Sequence, residues 1–183
     1  MKKILFLFLF AVTPLLAKAQ FELTYHGFKN SVDASNFFEV STPNASQEEI
    51  YNQVLTYFIS RKKIGDEIQE YKNKDWITYS TESPQQIKRG LGDSYTLAYE
   101  ITVQIEDGKV KIVSPIIECY AYGAANNILY RLFVSPEVAR GSEGSSSYLF
   151  KKDDEPSKKN MVADIEQIIN TEVQKLADTL TNK

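Results

Sequence analysis

Cysteine and histidine are almost absent from this sequence of 183 residues, which contains one of each, Cys119 and His26. A single cysteine cannot form an intramolecular disulfide, so the stability of the fold must come from packing. Zinc sites need several Cys or His ligands, and the usual base of a hydrolytic triad is histidine. The sequence therefore predicts no metal site and no cofactor, and it argues against histidine-dependent catalysis.

The two rare residues have ordinary structural interpretations. Cys119 lies in an apolar run, which predicts a small buried side chain rather than a reactive thiol. His26 lies in a weakly patterned stretch, far along the chain from any nucleophile, so a surface or capping role is expected. The acidic run Asp153-Asp154-Glu155 lacks the spacing of a calcium loop and is interpreted as solvated charge.

An excess of positive charge is also missing, since 21 basic residues face 24 acidic ones and the formal net charge is −3. Residues 1–19 contribute three lysines and no acid, so the chain without them carries −6. An acidic surface has no general attraction for phosphate backbones. Nucleic acid is therefore not an expected partner.

The first residues form the pattern of an export signal instead of a membrane span. Lys2 and Lys3 precede a mostly apolar run from Ile4 to Leu16, which is shorter than the roughly 20 residues that a spanning helix needs. Ala17 and Ala19 form a small-residue cleavage site before Gln20. We expect residues 1–19 to be removed as a signal peptide, and the protein to be periplasmic or secreted without a stable membrane anchor; a retained anchor is the alternative.

Two helices are predicted beyond the signal. Ser46-Gln47-Glu48-Glu49 fits a capping box, and the apolar residues behind it recur at helical spacing as far as Gly65. A last helix from about Asn160 places its apolar side chains on one face. The apolar stripes are Ile50, Val54, Leu55, Phe58 and Ile59 in the first helix, and Val162, Ile165, Ile168, Ile169, Val173, Leu176 and Leu180 in the last.

Strand patterns fill the region between the helices. Phe37 to Val40 predicts a first strand, and 66–71 with 76–81 a hairpin. The alternation from Tyr95 to Glu106 predicts a long strand with one packed face, and Asp107-Gly108 should turn it back with Ile105 opposite Val110 and Val103 opposite Ile112. Ser114-Pro115 predicts a bulge that transfers core contacts to Ile117 and Cys119.

These elements predict one α+β domain over residues 20–183, a two-layer sandwich in which two helices cover an antiparallel sheet in the order β-α-β4-α. Residues 83–93 are predicted to be a loop, and residues 123–158 a flexible insertion. Within that insertion Ile128 to Val134 fits either a short strand or a helix, and Lys151 to Lys159 a charged loop.

The chain resembles a family of secreted domains of unknown function that is frequent in the Bacteroides group and described as having a TBP-like fold. The resemblance rests on Ser46-Gln47-Glu48-Glu49-Ile50-Tyr51 at the start of a helix, on Trp76-Ile77 at the start of a strand, and on the hairpin from Tyr95 to Ile117. It covers roughly residues 37 to 120. The resemblance implies the β-α-β4-α topology and supplies no catalytic residues.

Function is therefore predicted mainly from missing chemistry. We expect a non-enzymatic binding or interaction module of the cell envelope, with an apolar groove enclosed by the helices and sheet for a small amphipathic ligand, or a surface for an envelope protein. Tyr95, Tyr99 and Trp76 are the candidate ligand-binding residues, because aromatic rings suit pockets and interfaces. The alternative is a glycan or peptide hydrolase with carboxylate or serine chemistry, for which Glu100 and Glu118 must converge in a cleft. Membrane association through the last helix is a weaker possibility.

Overall fold

The fold consists of thirteen strands and two helices, seen in a computed structural model that describes residues 20–71, 73–88, 94–122, 129–139, 146–152 and 155–181. The predicted signal peptide, with Ala17 and Ala19, lies outside these ranges, whereas Gln20 is described and exposed. In chain order the elements are β1 (Phe21–Thr24), β2 (Gly27–Asn30), β3 (Phe37–Ser41), α1 (Gln47–Arg61), β4 (Glu67–Glu70), β5 (Trp76–Glu82), β6 (Ile87–Lys88), β7 (Ser94–Glu106), β8 (Lys109–Val113), β9 (Ile116–Tyr122), β10 (Leu129–Phe133), β11 (Ser146–Tyr148), β12 (Phe150–Lys152), β13 (Glu155–Pro156) and α2 (Lys159–Thr181).

One large sheet is built around the long strand β7. Its order is β11-β10-β9-β7-β5-β4, with β8 beside the end of β7, β3 beside β8, and β6 beside the start of β7. All pairs are antiparallel except β10 with β11, which is parallel. The predicted α+β class with a large sheet and two helices is confirmed, and the parallel pair corrects the expectation of a wholly antiparallel sheet.

The central hairpin has the predicted register, with Ile105 opposite Val110 and Val103 opposite Ile112. Of the two turn residues, Gly108 takes the left-handed conformation, with φ 74°. The turn is held against the start of α1, because Oδ1 of Asp107 accepts a hydrogen bond from the Gln47 amide at 2.7 Å. The capping box of α1 is also present, with Ser46 and Glu49 bonded reciprocally.

The predicted bulge lies between β8 and β9. Val103 is opposite Ile112, but Glu100 is opposite Ile116, so three steps along β7 match four steps along the returning chain. The extra residue reverses which positions face the core. Cys119 is accordingly buried opposite Leu97, as predicted, and Ile117 packs partly against the core.

The two helices lie together on one face of the sheet and contact each other. All seven predicted apolar residues of α2 are buried. In α1 the stripe is narrower than predicted: Ile50, Val54 and Phe58 are buried, but Ile59 is 58% exposed. The space between helices and sheet is filled by one continuous core, so the predicted ligand groove does not lie there.

The N-terminal segment forms a hairpin that the sequence did not predict. β1 and β2 pair from Phe21 opposite Asn30 to Thr24 opposite Gly27. Phe21 and Leu23 are buried, and the side chain of Asn170 in α2 bonds both the amide and the carbonyl of Phe21, at 2.6 and 2.8 Å. The Leu23 amide donates to Oε1 of Glu166 at 2.8 Å. The hairpin is thus fastened to the last helix.

Two predicted loops contain strands. Ile87 and Lys88 pair with β7 inside the predicted loop 83–93, of which 89–93 lie outside the described residues. Within 123–158, β10 extends the sheet beside β9 and β11 pairs with β10, while β12 and β13 occupy four positions of the predicted charged loop, 151, 152, 155 and 156. Residues 123–128, 140–145 and 153–154 lie outside the described ranges, so the single-domain boundaries and the flexibility of the insertion stay predictions.

Candidate ligand-binding groove

A groove crosses the face of the sheet that the helices do not cover. Alternate residues of β7, from Tyr95 to Ile105, face the core, so Ala98 and Glu100 face the other way. The bulge places Ile116 and Glu118 of β9 on this same outer face, and the pairing of β10 adds Arg131 and Phe133. The outer face therefore carries a mixed apolar and charged surface.

Ala98 marks the centre of the groove because its neighbours are longer. Glu82 of β5 lies opposite Ala98 on one side and Glu118 of β9 lies opposite it on the other, while Glu100 is two residues along β7. A methyl group between these side chains leaves a depression on the sheet surface. Three carboxylates thus surround one small residue.

The groove has a volume of about 860 Å³. Its walls include the turn from Lys63 to Gly65 and the side chains of Phe133 and Val138. Ile116 and Val138 are 68% and 49% exposed, so the groove leaves apolar surface open to solvent. An apolar wall therefore lies next to the carboxylates.

The carboxylates differ in their partners. Oε1 of Glu118 lies 3.2 Å from Nε of Arg131 in an ion pair. Glu82 accepts a hydrogen bond from the Tyr120 hydroxyl, and Glu100 a long one of 3.4 Å from Ser80. Neither Glu82 nor Glu100 forms an ion pair with a residue in the described ranges. This part of the groove consequently favours a positively charged group.

Asp66 lies at the edge of the groove but is bonded toward the protein. Its carboxylate accepts hydrogen bonds from Tyr79 at 2.5 Å and from Thr81 at 2.7 Å. Burial opposes its ionisation, yet these hydrogen bonds and Lys63 lower the pKa of Asp66 below its ordinary value. Asp66 thus orders the wall of the groove and is not available to a ligand.

The predicted aromatic residues do not form one surface. Tyr95 and Tyr99 are buried on the core face of β7, where burial raises the pKa of Tyr99, and of the three candidates Tyr99 alone borders the groove. Trp76 lies on the outer face at the start of β5, five residues from Thr81, the residue opposite Tyr99, or about 17 Å along the strand. The structure therefore separates Trp76 from the other two.

Of the residues that line the groove, the sequence singled out Tyr99 as a ligand-binding candidate and Glu100 and Glu118 as hydrolase candidates, and the other functional side chains were missed. Glu82, Ala98 and Glu118 are brought into line by the registers of three strands, which no single pattern contains. The Ser114-Pro115 bulge is the one sequence feature that could have indicated these groove residues, because it determines which side chains of β9 face outward.

The requirements of a carboxylate hydrolase are met only in part. Glu100 and Glu118 both line the groove. Among the described residues, however, the carboxyl group whose pKa burial raises is Glu166, which lies on α2 beside Leu23. Within the described part of the chain no three Asp, Glu, His or Cys side chains are placed to hold a metal ion. His26 is exposed, with Nδ1 3.3 Å from Oε2 of Glu137, and Asp153 and Asp154 lie outside the described residues.

No protein-family model matches the chain, and no curated protein matches it. Two solved structures are similar in fold. A TBP-like protein from Parabacteroides distasonis superposes with a TM-score of 0.56 at 14% identity, over 80% of this chain and 91% of that one. A DUF4468 family protein from Bacteroides ovatus gives 0.54 at 14% identity, over 80% and 85%. The protein is therefore an α+β protein with a TBP-like fold.

Proposed function

We propose that the protein is an exported, non-enzymatic binding module of the cell envelope, and that the outer-sheet groove holds a small amphipathic ligand with a positively charged group. The observation that carries the proposal is the groove itself, in which an exposed apolar wall adjoins Glu82 and Glu100, two carboxylates that form no ion pair within the described residues. The fold that it shares with TBP-like and DUF4468 proteins of Bacteroides-group species is consistent with the family that its sequence resembles.

The charge of the ligand follows from the two sides of the groove. An alkyl or aromatic portion would cover Ile116 and Val138, removing exposed apolar surface from water at about 25 cal/mol per Å². An ammonium or guanidinium group would lie over Ala98 between Glu82 and Glu100. An anionic ligand would meet these carboxylates, while Arg131 is already paired with Glu118 and the Lys63 ammonium group already donates to the Glu82 carbonyl at 3.5 Å.

Three ligands that differ only in the head group test this proposal. Decylamine, decanol and decanoate, each below its micellar concentration, would be titrated into the purified chain and followed by calorimetry and native mass spectrometry. We expect the amine to bind most tightly and the acid least. The proposal fails if decanoate binds as tightly as decylamine, or if none of the three binds and no envelope protein crosslinks through the groove.

A charge-neutral variant locates the binding. Glu100→Gln keeps the shape of the side chain and should weaken amine binding up to about fivefold, the value of an exposed ion pair worth about 1 kcal/mol, while decanol binding stays unchanged. Glu39→Gln is the matched control, because Glu39 is an exposed residue of β3 and does not line the groove. Equal losses in the two variants would mean that the effect is one of net charge.

Export has a separate test. The intact mass of protein recovered from the producing cell should correspond to a chain beginning at Gln20, and fractionation should place it in the periplasm or the medium. A chain that keeps residues 1–19 would remove the main support for an envelope location.

A further inference from the structure

Two aromatic side chains stand exposed at the β4–β5 turn, apart from the groove. Tyr71 and Trp76 are 53% and 36% exposed, and their ring centroids are 6.5 Å apart at an interplanar angle of 54°. The Tyr71 amide donates to the Trp76 carbonyl at 3.3 Å, so the two residues face each other across the hairpin. Both rings project from the outer face of the sheet.

The turn between the rings supplies polar groups. Tyr71, Asn73, Asp75 and Trp76 together line a depression of about 460 Å³. Within the described residues, the side chains of Asn73 and Asp75 form no hydrogen bond and no ion pair, so an amide and a carboxylate are available beside the rings. The site thus combines two apolar ring surfaces with one donor-acceptor group and one acceptor.

The turn is held in place by contacts from α1 and β7. Lys74 takes a left-handed φ of 56°, and its ammonium group lies 2.7 Å from Oε1 of Glu48 in α1. The Gln47 side chain donates to the Lys74 carbonyl at 3.2 Å, and the Ile105 amide donates to the Asp75 carbonyl at 2.7 Å. The rings are therefore presented on an ordered support, which lowers the entropy that a ligand must overcome on binding.

We propose that Tyr71, Asn73, Asp75 and Trp76 form a binding site for a neutral oligosaccharide. The C–H face of a pyranose ring is apolar and packs on an aromatic ring, while the hydroxyl groups at its edge need donors and acceptors of the kind that Asn73 and Asp75 provide. An uncharged sugar suits the site because Asp75 would repel a uronic or sialic acid. If Tyr71 and Trp76 served only to stabilise the hairpin, they would need neither the unpaired side chains of Asn73 and Asp75 nor so much exposed ring surface.

This site is independent of the groove. Four strand residues, or roughly 13 Å, separate Trp76 from Ser80, the first groove residue along β5. A ligand that saturates the groove should therefore leave the aromatic site open to a sugar. The failure of either proposal does not affect the other.

The chain carries its own reporter, because Trp76 is its only tryptophan. Cellohexaose, maltohexaose and chitohexaose would be titrated into the full mature chain, with Trp76 emission and calorimetry as readouts. We expect saturable binding of at least one of them with a shift of the emission to shorter wavelength, as a sugar ring displaces water from the indole. Absence of heat and of any emission change with all three would overturn the proposal, and so would a response to choline chloride in their place.

Variants that keep the reporter assign the site. Tyr71→Ala and Asn73→Ala should each weaken sugar binding about fivefold or more while leaving the urea unfolding midpoint nearly unchanged. Tyr122→Ala is the matched control, since Tyr122 is another exposed tyrosine of the outer face, 63% exposed, on β9. A loss of affinity in Tyr122→Ala equal to that in Tyr71→Ala would contradict the assignment.

Discussion

The hydrogen bonds between Asn170 and Phe21 should decide whether the N-terminal hairpin stays attached to the fold. Asn170→Ala removes both the acceptor for the Phe21 amide and the donor to its carbonyl. Phe21 is only 1% exposed, so solvent cannot readily replace either bond while β1 remains in place. The substitution therefore leaves two buried backbone groups without partners.

The magnitude follows from those two bonds. Each intramolecular hydrogen bond contributes about 1 kcal/mol net, so the loss of both should lower the stability of the attached hairpin by about 2 kcal/mol. Because about 1.4 kcal/mol corresponds to a tenfold change in an equilibrium constant, the population of the detached hairpin should rise about thirtyfold. Asn170→Asp keeps the acceptor but loses the donor and adds a negative charge one turn from Glu166, so its effect should be at least half as large.

Hydrogen exchange followed by mass spectrometry of a peptide spanning β1 and β2 measures this population directly. We expect exchange in Asn170→Ala to accelerate about thirtyfold in that peptide, with a lower urea midpoint if the hairpin and core unfold together. Thr171→Ala is the control, because the Thr171 hydroxyl bonds only the Gln167 carbonyl of its own helix. Unchanged exchange in β1 and β2, together with an unchanged urea midpoint, would refute the reasoning.

Three further predictions concern burial. Burial raises the pKa of Glu166 above its ordinary 4.5, so the contribution of this residue to stability falls as the pH rises through the folded pKa. Glu166→Gln keeps an acceptor for the Leu23 amide and should therefore raise the thermal midpoint near about pH 7. Calorimetry should show that this advantage is lost near about pH 3. The pKa of Cys119 is raised to about 12 by burial, so the native thiol should not react with a disulfide reagent near about pH 8 and should react fully in urea. Phe58→Ala should cost about 3 to 5 kcal/mol in urea unfolding, whereas Ile59→Ala should cost about 0.5 kcal/mol or less.

Elements whose pattern and partners are local could be predicted from the sequence. The capping box at Ser46 begins α1, and the stripe of α2 is long enough to specify both its type and its buried face. Alternation along β7 and the Asp107-Gly108 turn fix the central hairpin and its register. The bulge at Pro115 was predictable because proline lacks the amide that the ladder needs.

Elements stabilised by distant parts of the chain could not be predicted. β1 has only Phe21 and Leu23 as apolar alternation, and the hydrogen bonds that hold it come from α2. The parallel partner of β10 is likewise chosen by tertiary structure. In α1, residues four apart are rotated by about 40° round the helix axis. Along the row Tyr51, Leu55 and Ile59 this rotation accumulates, so Tyr51 is buried and Ile59 is exposed.

The candidate sites were harder to predict than the fold. Trp76 was identified as a ligand-binding candidate for its ring, but its neighbour Tyr71 and the open side chains of the turn become relevant only when the hairpin brings them together. The groove depends on the registers of β5, β7 and β9 and on a one-residue bulge. Such surfaces follow from pairing geometry, so their residues are scattered in the sequence.

The attachment of β1 to α2 also sets the order in which the fold can be completed. Asn170 follows Phe21 by 149 residues, so a chain that emerges from its N-terminus onward exposes β1 long before its helical partner exists. Contacts of such large sequence separation slow folding, because a long loop must close before they contribute. If the protein is exported as proposed, this delay leaves β1 unattached and extended, and hence able to pass through a narrow channel, until α2 has emerged and can bind it.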